Sequence, residues 1–219
     1  MDKLRLLFSK TGRAVYISHL DLMRTLTRAF LRAECRLKYS EGFNPHPQIS
    51  IALPLSVGCE SVCEIMDFKL IEDKDPEEIL AALSKQLPEG IGAISVYASE
   101  RKVKELKWLR ISGVFEYDER DSALMAQRLN AFFTQESIVI TKKTKRGMGE
   151  SDIRPAIKEI SFNADGDNVK LAAVISAQEP TLNPELIADA LRQLAPDIAP
   201  DFAKFKRLEE FDENMSVFR

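Results

Sequence analysis

Asp75-Pro76-Glu77-Glu78-Ile79 and Leu83 align with Asn183-Pro184-Glu185-Leu186-Ile187 and Leu191 at a constant offset of 108 residues, about half of this 219-residue chain. A helix opened by an Asx residue and a proline thus occurs at the same place in each half. The surrounding elements repeat as well. Lys3 to Phe8 reads as a strand, Ser9 to Arg13 as a turn, and Ala14 to Ile17 as an extension of that strand. Ser18, with Asp21 three residues on, caps a helix running to about Arg36. Strands follow near Ile49–Leu53 and at Cys63–Leu70, then the proline-started helix, then a strand at Ile91–Ala98. The second half gives a strand at Trp108–Tyr117, a helix at Ser122–Phe133 and a strand at Ser137–Lys142. A loop from Lys143 to Pro155 follows, then a hairpin of Ala156–Phe162 and Val169–Ala177, the helix Asn183–Leu194, and a strand near Phe202–Leu208. This order predicts an α+β protein of two tandem ferredoxin-like (βαββαβ) domains, residues 1–100 and 107–219. A single fused sheet is the competing arrangement.

The net charge of −3 hides a local concentration of positive charge near the start of the chain. The first 50 residues hold nine Lys and Arg against four Asp and Glu. Positive charge gathered in one place suits an anionic partner even when the total is near neutral. Arg24, Arg28 and Arg32 fall at i, i+4 and i+8, on one helix face opposite Leu22, Leu26, Phe30 and Ala33. Like charges at that spacing disfavour an isolated helix, and arginine forks match phosphate oxygens. A solvated face paired with acids elsewhere is the alternative.

Ser40 to Gly58 is the second informative stretch. Ser40-Glu41-Gly42-Phe43-Asn44-Pro45-His46-Pro47 is polar and turn-rich, and it runs into the alternating Ile49-Ser50-Ile51-Ala52-Leu53. Two prolines around His46 fix φ and restrict the residues before them. A loop so stiffened loses little entropy when it meets a ligand. Tyr39 and Phe43 are placed to stack on bases or to pack in the core, and Glu41, Asn44 and His46 are placed for polar recognition. A third feature is Lys142-Lys143-Thr144-Lys145-Arg146-Gly147-Met148-Gly149, a cationic loop with two glycines suited to a nucleic-acid backbone. Arg154, in Asp152-Ile153-Arg154-Pro155, is either a further phosphate contact or an ordering contact at the loop base.

Catalytic motifs are sparse. The histidines are His19 and His46, either of which suits the general base of a metal-independent ribonuclease. His19 in the first helical turn suits a capping role equally. Cys35, Cys59 and Cys63 match no standard zinc or iron–sulfur spacing, and their odd number fits a reducing cytoplasm. There is no P-loop, dinucleotide fingerprint or nucleophile elbow, so no cofactor is expected. No apolar run approaches a membrane span, and no signal-peptide pattern opens the chain.

Phe8-Ser9-Lys10-Thr11-Gly12, Tyr16-Ile17-Ser18-His19-Leu20-Asp21, Tyr39 through Pro47, Leu53-Pro54-Leu55-Ser56-Val57-Gly58 and Asp152-Ile153-Arg154-Pro155 resemble the radical-SAM-linked protein family. That family is a bacterial domain of unknown function, found alone or joined to a radical SAM protein. The resemblance implies a radical SAM protein as partner. Its members' placement beside genes for ribosomal proteins and a ribonuclease implies RNA or a ribosomal substrate. The leading expectation is a cytoplasmic, non-catalytic RNA-binding accessory protein. Arg24, Arg28, Arg32, Lys142, Lys143, Lys145, Arg146 and Arg154 would grip phosphates, and Tyr39, Glu41, Phe43, Asn44 and His46 would form a recognition loop. The rivals are a ribonuclease or RNA-modifying enzyme using His46 or His19, and a protein-interaction adaptor without RNA contact.

Overall fold

The structure, a computed structural model, describes residues 3–144 and 147–219. The protein is a mixed α+β chain that divides into two compact units, one running to Glu105 and the other from Leu106 to Phe218. In the first unit β1 (Leu4–Lys10), α1 (His19–Arg32), β2 (Ile49–Ile51), β3 (Glu60–Phe68), α2 (Pro76–Ser84) and β4 (Ile91–Ala98) follow in turn. The strands pair antiparallel in the order β4-β1-β3-β2. Leu6, Phe8, Met66 and Phe68 alternate onto one sheet face. There they bury against Leu22, Leu26 and Phe30 of α1 and Ile79 and Leu83 of α2. Phe30 meets Phe68 edge-on at 4.8 Å.

The other sheet face carries a buried ion pair. Arg5 lies opposite Asp67 in the β1–β3 register. Its Nε donates to Asp67 at 2.7 Å, and a second guanidinium nitrogen donates to Asp67 at 3.2 Å. Lys3 also reaches this carboxylate, and the Ser99 hydroxyl donates to it at 3.2 Å.

Two local expectations are corrected here. Residues expected to extend the first strand, Ala14 to Ile17, instead lie in and after a 3-10 turn, Gly12–Tyr16. The cause is Lys10. Its buried ammonium donates to the carbonyls of Val15 and Ile17 at 3.2 and 3.3 Å, curling the chain back on itself. Burial pulls the pKa of this ammonium down, against the pull of Glu64 and Cys59. The helix expected to reach Arg36 stops at Arg32. Cys35 N–H donates to Phe30 O and Glu34 N–H to Leu31 O, a complete Schellman closure. The left-handed residue is Glu34, at φ 56°, where a glycine would normally announce the stop. Replacing that residue is therefore stabilising. Glu34→Gly relieves the left-handed strain and removes an anion from the negative helix end, raising stability by about 1 kcal/mol in urea denaturation.

In the second unit the order is β5 (Trp108–Glu116), α3 (Ser122–Phe132), β6 (Val139–Thr144), β7 (Gly147–Asp152), β8 (Ile157–Asp165), β9 (Asn168–Ser176), α4 (Glu185–Leu194) and β10 (Phe202–Phe211). The main sheet runs β10-β5-β9-β8, antiparallel throughout. This is the strand plan of the first unit, with the β6–β7 hairpin inserted after α3. Phe115, Phe133, Phe162 and Phe205 build its aromatic core. The sequence repeat holds at atomic detail. The Asp75 carboxylate accepts from Glu77 N–H at 2.8 Å, and the Asn183 side-chain oxygen accepts from Glu185 N–H at 3.2 Å.

The expected loop Lys143–Pro155 is corrected as well. Gly147–Asp152 is a strand, pairing Lys143 with Met148 and Val139 with Asp152. Gly-Met-Gly-Glu-Ser-Asp has neither alternation nor β-branched residues, so only its ladder with β6 makes it a strand.

Candidate nucleic-acid interface

The stiff loop is closed at its neck by backbone pairing. Gln48 N–H donates to Lys38 O at 2.8 Å, Ser40 N–H donates to His46 O at 2.9 Å, and Tyr39 bridges Pro47. Gly42 turns the chain at φ 116°, in the region that only glycine enters freely. Glu41, Asn44 and His46 are exposed, Tyr39 is 46% exposed, and Phe43 at the tip is wholly so.

Ser40 fixes the imidazole. Its Oγ accepts from His46 N–H at 3.1 Å and lies 2.9 Å from His46 Nδ1. Nδ1 also lies 3.5 Å from Asn44 O, so both ring contacts are made through that nitrogen.

Beside the loop lies a depression of about 430 Å³, lined by Leu20, Met23, Arg24, Arg28, His46, Pro47 and Ile49 among others. Its floor is apolar and its rim cationic. Here α1 supplies the arginines because Leu22, Leu26, Ala29 and Phe30 fix the opposite helix face in the core. The Ser18 hydroxyl sets where the helix begins by accepting from Asp21 N–H at 3.1 Å. His19, the first helical residue, is half-buried and does not supply that cap.

The three arginines have different surroundings. Arg24 pairs with Asp21 at 3.1 Å, with both side chains more than half exposed. The Ser18 hydroxyl and the Arg24 guanidinium hold the Asp21 carboxyl below its ordinary pKa. An exposed pair of this kind contributes little to stability and yields readily to a stronger anion. Arg28 is exposed and, among the described residues, makes no hydrogen bond or ion pair. Arg32 is committed to the segment just after α2, donating to the backbone and side-chain oxygens of Gln86 at 2.6 and 3.2 Å.

A second depression, of about 260 Å³, shares Thr27 and Arg28 with the first and adds Leu31, Arg36, Tyr39 and Ile71. A third, also about 260 Å³, shares His46, Pro47 and Ile49 with the first and adds Lys3, Asp67 and Lys69. Arg28 borders the first and second depressions, and His46 and Pro47 border the first and third. Sequence reasoning missed Leu20, Thr27 and Leu31 as groove residues. The available signal was their helical register with Arg24 and Arg28, which makes one stripe of mixed apolar and cationic character.

In the second unit Lys142 and Lys143 sit on β6, and Lys143 is exposed. Lys145 and Arg146 lie outside the described residues. The hairpin is docked by Gln193 of α4, whose side chain bonds both the N–H and the carbonyl of Thr141, at 2.9 and 3.0 Å. Its base is closed by Asp152, which accepts from Ile138 N–H, Ser137 Oγ and Arg154 N–H. Those backbone hydrogen bonds hold the Asp152 carboxyl below its ordinary pKa. The Arg154 guanidinium donates to Gln135 O and Ile157 O at 3.2 and 2.8 Å, an ordering role at the hairpin base. Cys35, Cys59 and Cys63 are buried free thiols. Among the described residues no cluster of three or more His, Cys, Asp or Glu is placed to hold a metal ion. No described helix is long and apolar enough to cross a membrane.

No curated protein matches the chain. Among solved structures, a chain in the crystal structure of a Cbf5-Nop10-Gar1 complex superposes with a TM-score of 0.51 at 11% identity. That match covers 96% of this chain, which spans 50% of the other, and it extends to fold alone. An unknown protein from Galdieria sulphuraria aligns over 94% of this chain and 98% of its own, at 9% identity and a TM-score of 0.29. Residues 3–184 match the family described as "Uncharacterized protein conserved in bacteria (DUF2344)". With most of its length inside that match, the chain belongs to the DUF2344 family of bacterial proteins.

Proposed function

We propose that this protein is a non-catalytic RNA-binding accessory protein that presents RNA or a ribosomal substrate to a radical SAM partner. The observation that carries the reading is the depression between α1 and the proline-framed loop, which Arg24, Arg28 and His46 line together. Arginine forks carry donors and no acceptor, the set that phosphate oxygens require. Lys142 and Lys143 on β6 would provide a second cationic segment. Each unit is read as a ferredoxin-like fold, supported by the strand orders β4-β1-β3-β2 and β10-β5-β9-β8. The radical SAM partner is what the resemblance carried by Phe8–Gly12, Tyr16–Asp21 and Tyr39–Pro47 implies.

Filter binding of a labelled RNA pool across a salt series tests the reading. The expected result is measurable affinity at low salt. Log K should fall linearly with log salt, at a slope of roughly −0.7 for each phosphate held by a cation. Absence of affinity at low salt, or affinity indifferent to salt, contradicts it.

A second reading, a protein-interaction adaptor, is favoured by one observation: Phe43 stands fully exposed on a stiff loop. A displayed aromatic is the commonest kind of interface anchor. Capture of partners from lysate with and without ribonuclease separates the two readings, because only RNA-mediated capture is lost on digestion.

A further inference from the structure

Two apolar depressions flank Arg28. The first is lined by Leu20, Met23, Pro47 and Ile49, and the second by Leu31, Tyr39 and Ile71. Phosphate alone gives no reason for apolar lining, and a stacked duplex has no flat apolar group to insert. Single-stranded RNA has both parts: unstacked bases with apolar faces, joined through a charged phosphate. The two hollows share Arg28 and Thr27 as their common wall, the arrangement that two successive bases and the phosphate between them would need.

We propose that this groove is a dinucleotide subsite for single-stranded RNA. One unstacked base sits against Leu20, Met23 and Pro47, the next against Leu31 and Tyr39, and the phosphate between them rests on Arg28. The inference rests on the RNA reading above and narrows its ligand to unpaired RNA. Charge decides between this occupant and an acidic amphipathic peptide. Arg24 and Arg36 already have carboxylate neighbours in Asp21 and Glu72, whereas Arg28, at the shared wall, has none among the described residues. One unpartnered cation between two hollows fits one anion between two flat groups, not a row of carboxylates. His46 lines the first hollow as well, a polar side chain beside the apolar ones.

Fluorescence anisotropy with the full chain tests the proposal. The probes are a 12-nucleotide single strand of mixed sequence, the same strand annealed to its complement, and an abasic strand of equal length and charge. A further probe is an acidic amphipathic peptide. The single strand should bind at least about tenfold tighter than the duplex or the abasic strand. Leu20→Ser and Leu31→Ser alter side chains that are 65% and 74% exposed, so both variants fold. Each should weaken single-strand binding about fivefold while leaving the salt slope unchanged. Arg28→Ala should reduce that slope by roughly 0.7. Equal binding of single strand, duplex and abasic strand overturns the subsite and leaves the RNA reading standing. So do Leu variants that match wild type. Tighter binding of the peptide, displaced by none of the nucleic acids, overturns both.

Discussion

Asp67→Ala destabilises the protein by about 3–5 kcal/mol, measured as a lowered midpoint in urea at unchanged slope. The loss is so large because the substitution strands a guanidinium. Arg5 is 0% exposed, and its Nε and a terminal nitrogen both donate to Asp67. Burial pushes the Asp67 carboxyl up, but hydrogen bonds and charge from Arg5 and Lys3 outweigh it and hold the group below its ordinary value. The sign for acid follows directly. A carboxyl whose folded pKa is depressed adds stability above its unfolded pKa of about 3.9, and that stability fades as pH falls through the folded value. Wild type should therefore lose stability below about pH 4 more steeply than Asp67→Ala, whose curve lacks this contribution.

Arg24→Glu combined with Arg28→Glu weakens RNA binding by roughly a hundredfold at low salt, with the fold intact. Each arginine loses a charge-assisted contact of about 1.5 kcal/mol, a little over tenfold in affinity. The log–log salt slope falls by about 1.4 with the two contacts gone. Folding survives because both side chains are exposed and the ion pair lost among the described residues, Arg24 to Asp21, lies in solvent. Arg32→Glu is the informative contrast. It breaks the hydrogen bonds to Gln86 and so perturbs the packing of α2 with a smaller effect on RNA.

The mixed α+β architecture was legible because its main signals are local and periodic. Asp75-Pro76 and Asn183-Pro184 announce their helices through a cap and a pre-set φ. Ile91–Ala98 matches its expected strand at both ends. Where reading failed, the deciding interaction came from far along the chain or from an uncommon residue. Glu34 occupies a glycine position, so α1 ends without a sequence signal. Lys10 looks like an ordinary turn cation, yet its ammonium binds the carbonyls of Val15 and Ile17. The strand Gly147–Asp152 exists only through its partner. At the groove, Arg24, Arg28 and His46 were visible as chemistry. Their surroundings were not, because the apolar floor is assembled from α1, Pro47 and Ile49 by tertiary packing.

The most direct measurement is photocrosslinking. A single-stranded RNA carrying 4-thiouridine is irradiated with the full-length protein, and the linked peptides are identified by mass spectrometry. The predicted result is crosslinks concentrated within Leu20–Leu31 and Tyr39–Ile49, lost in the Arg24→Glu, Arg28→Glu variant. Crosslinks absent from both segments, or unchanged by that variant, would contradict the account.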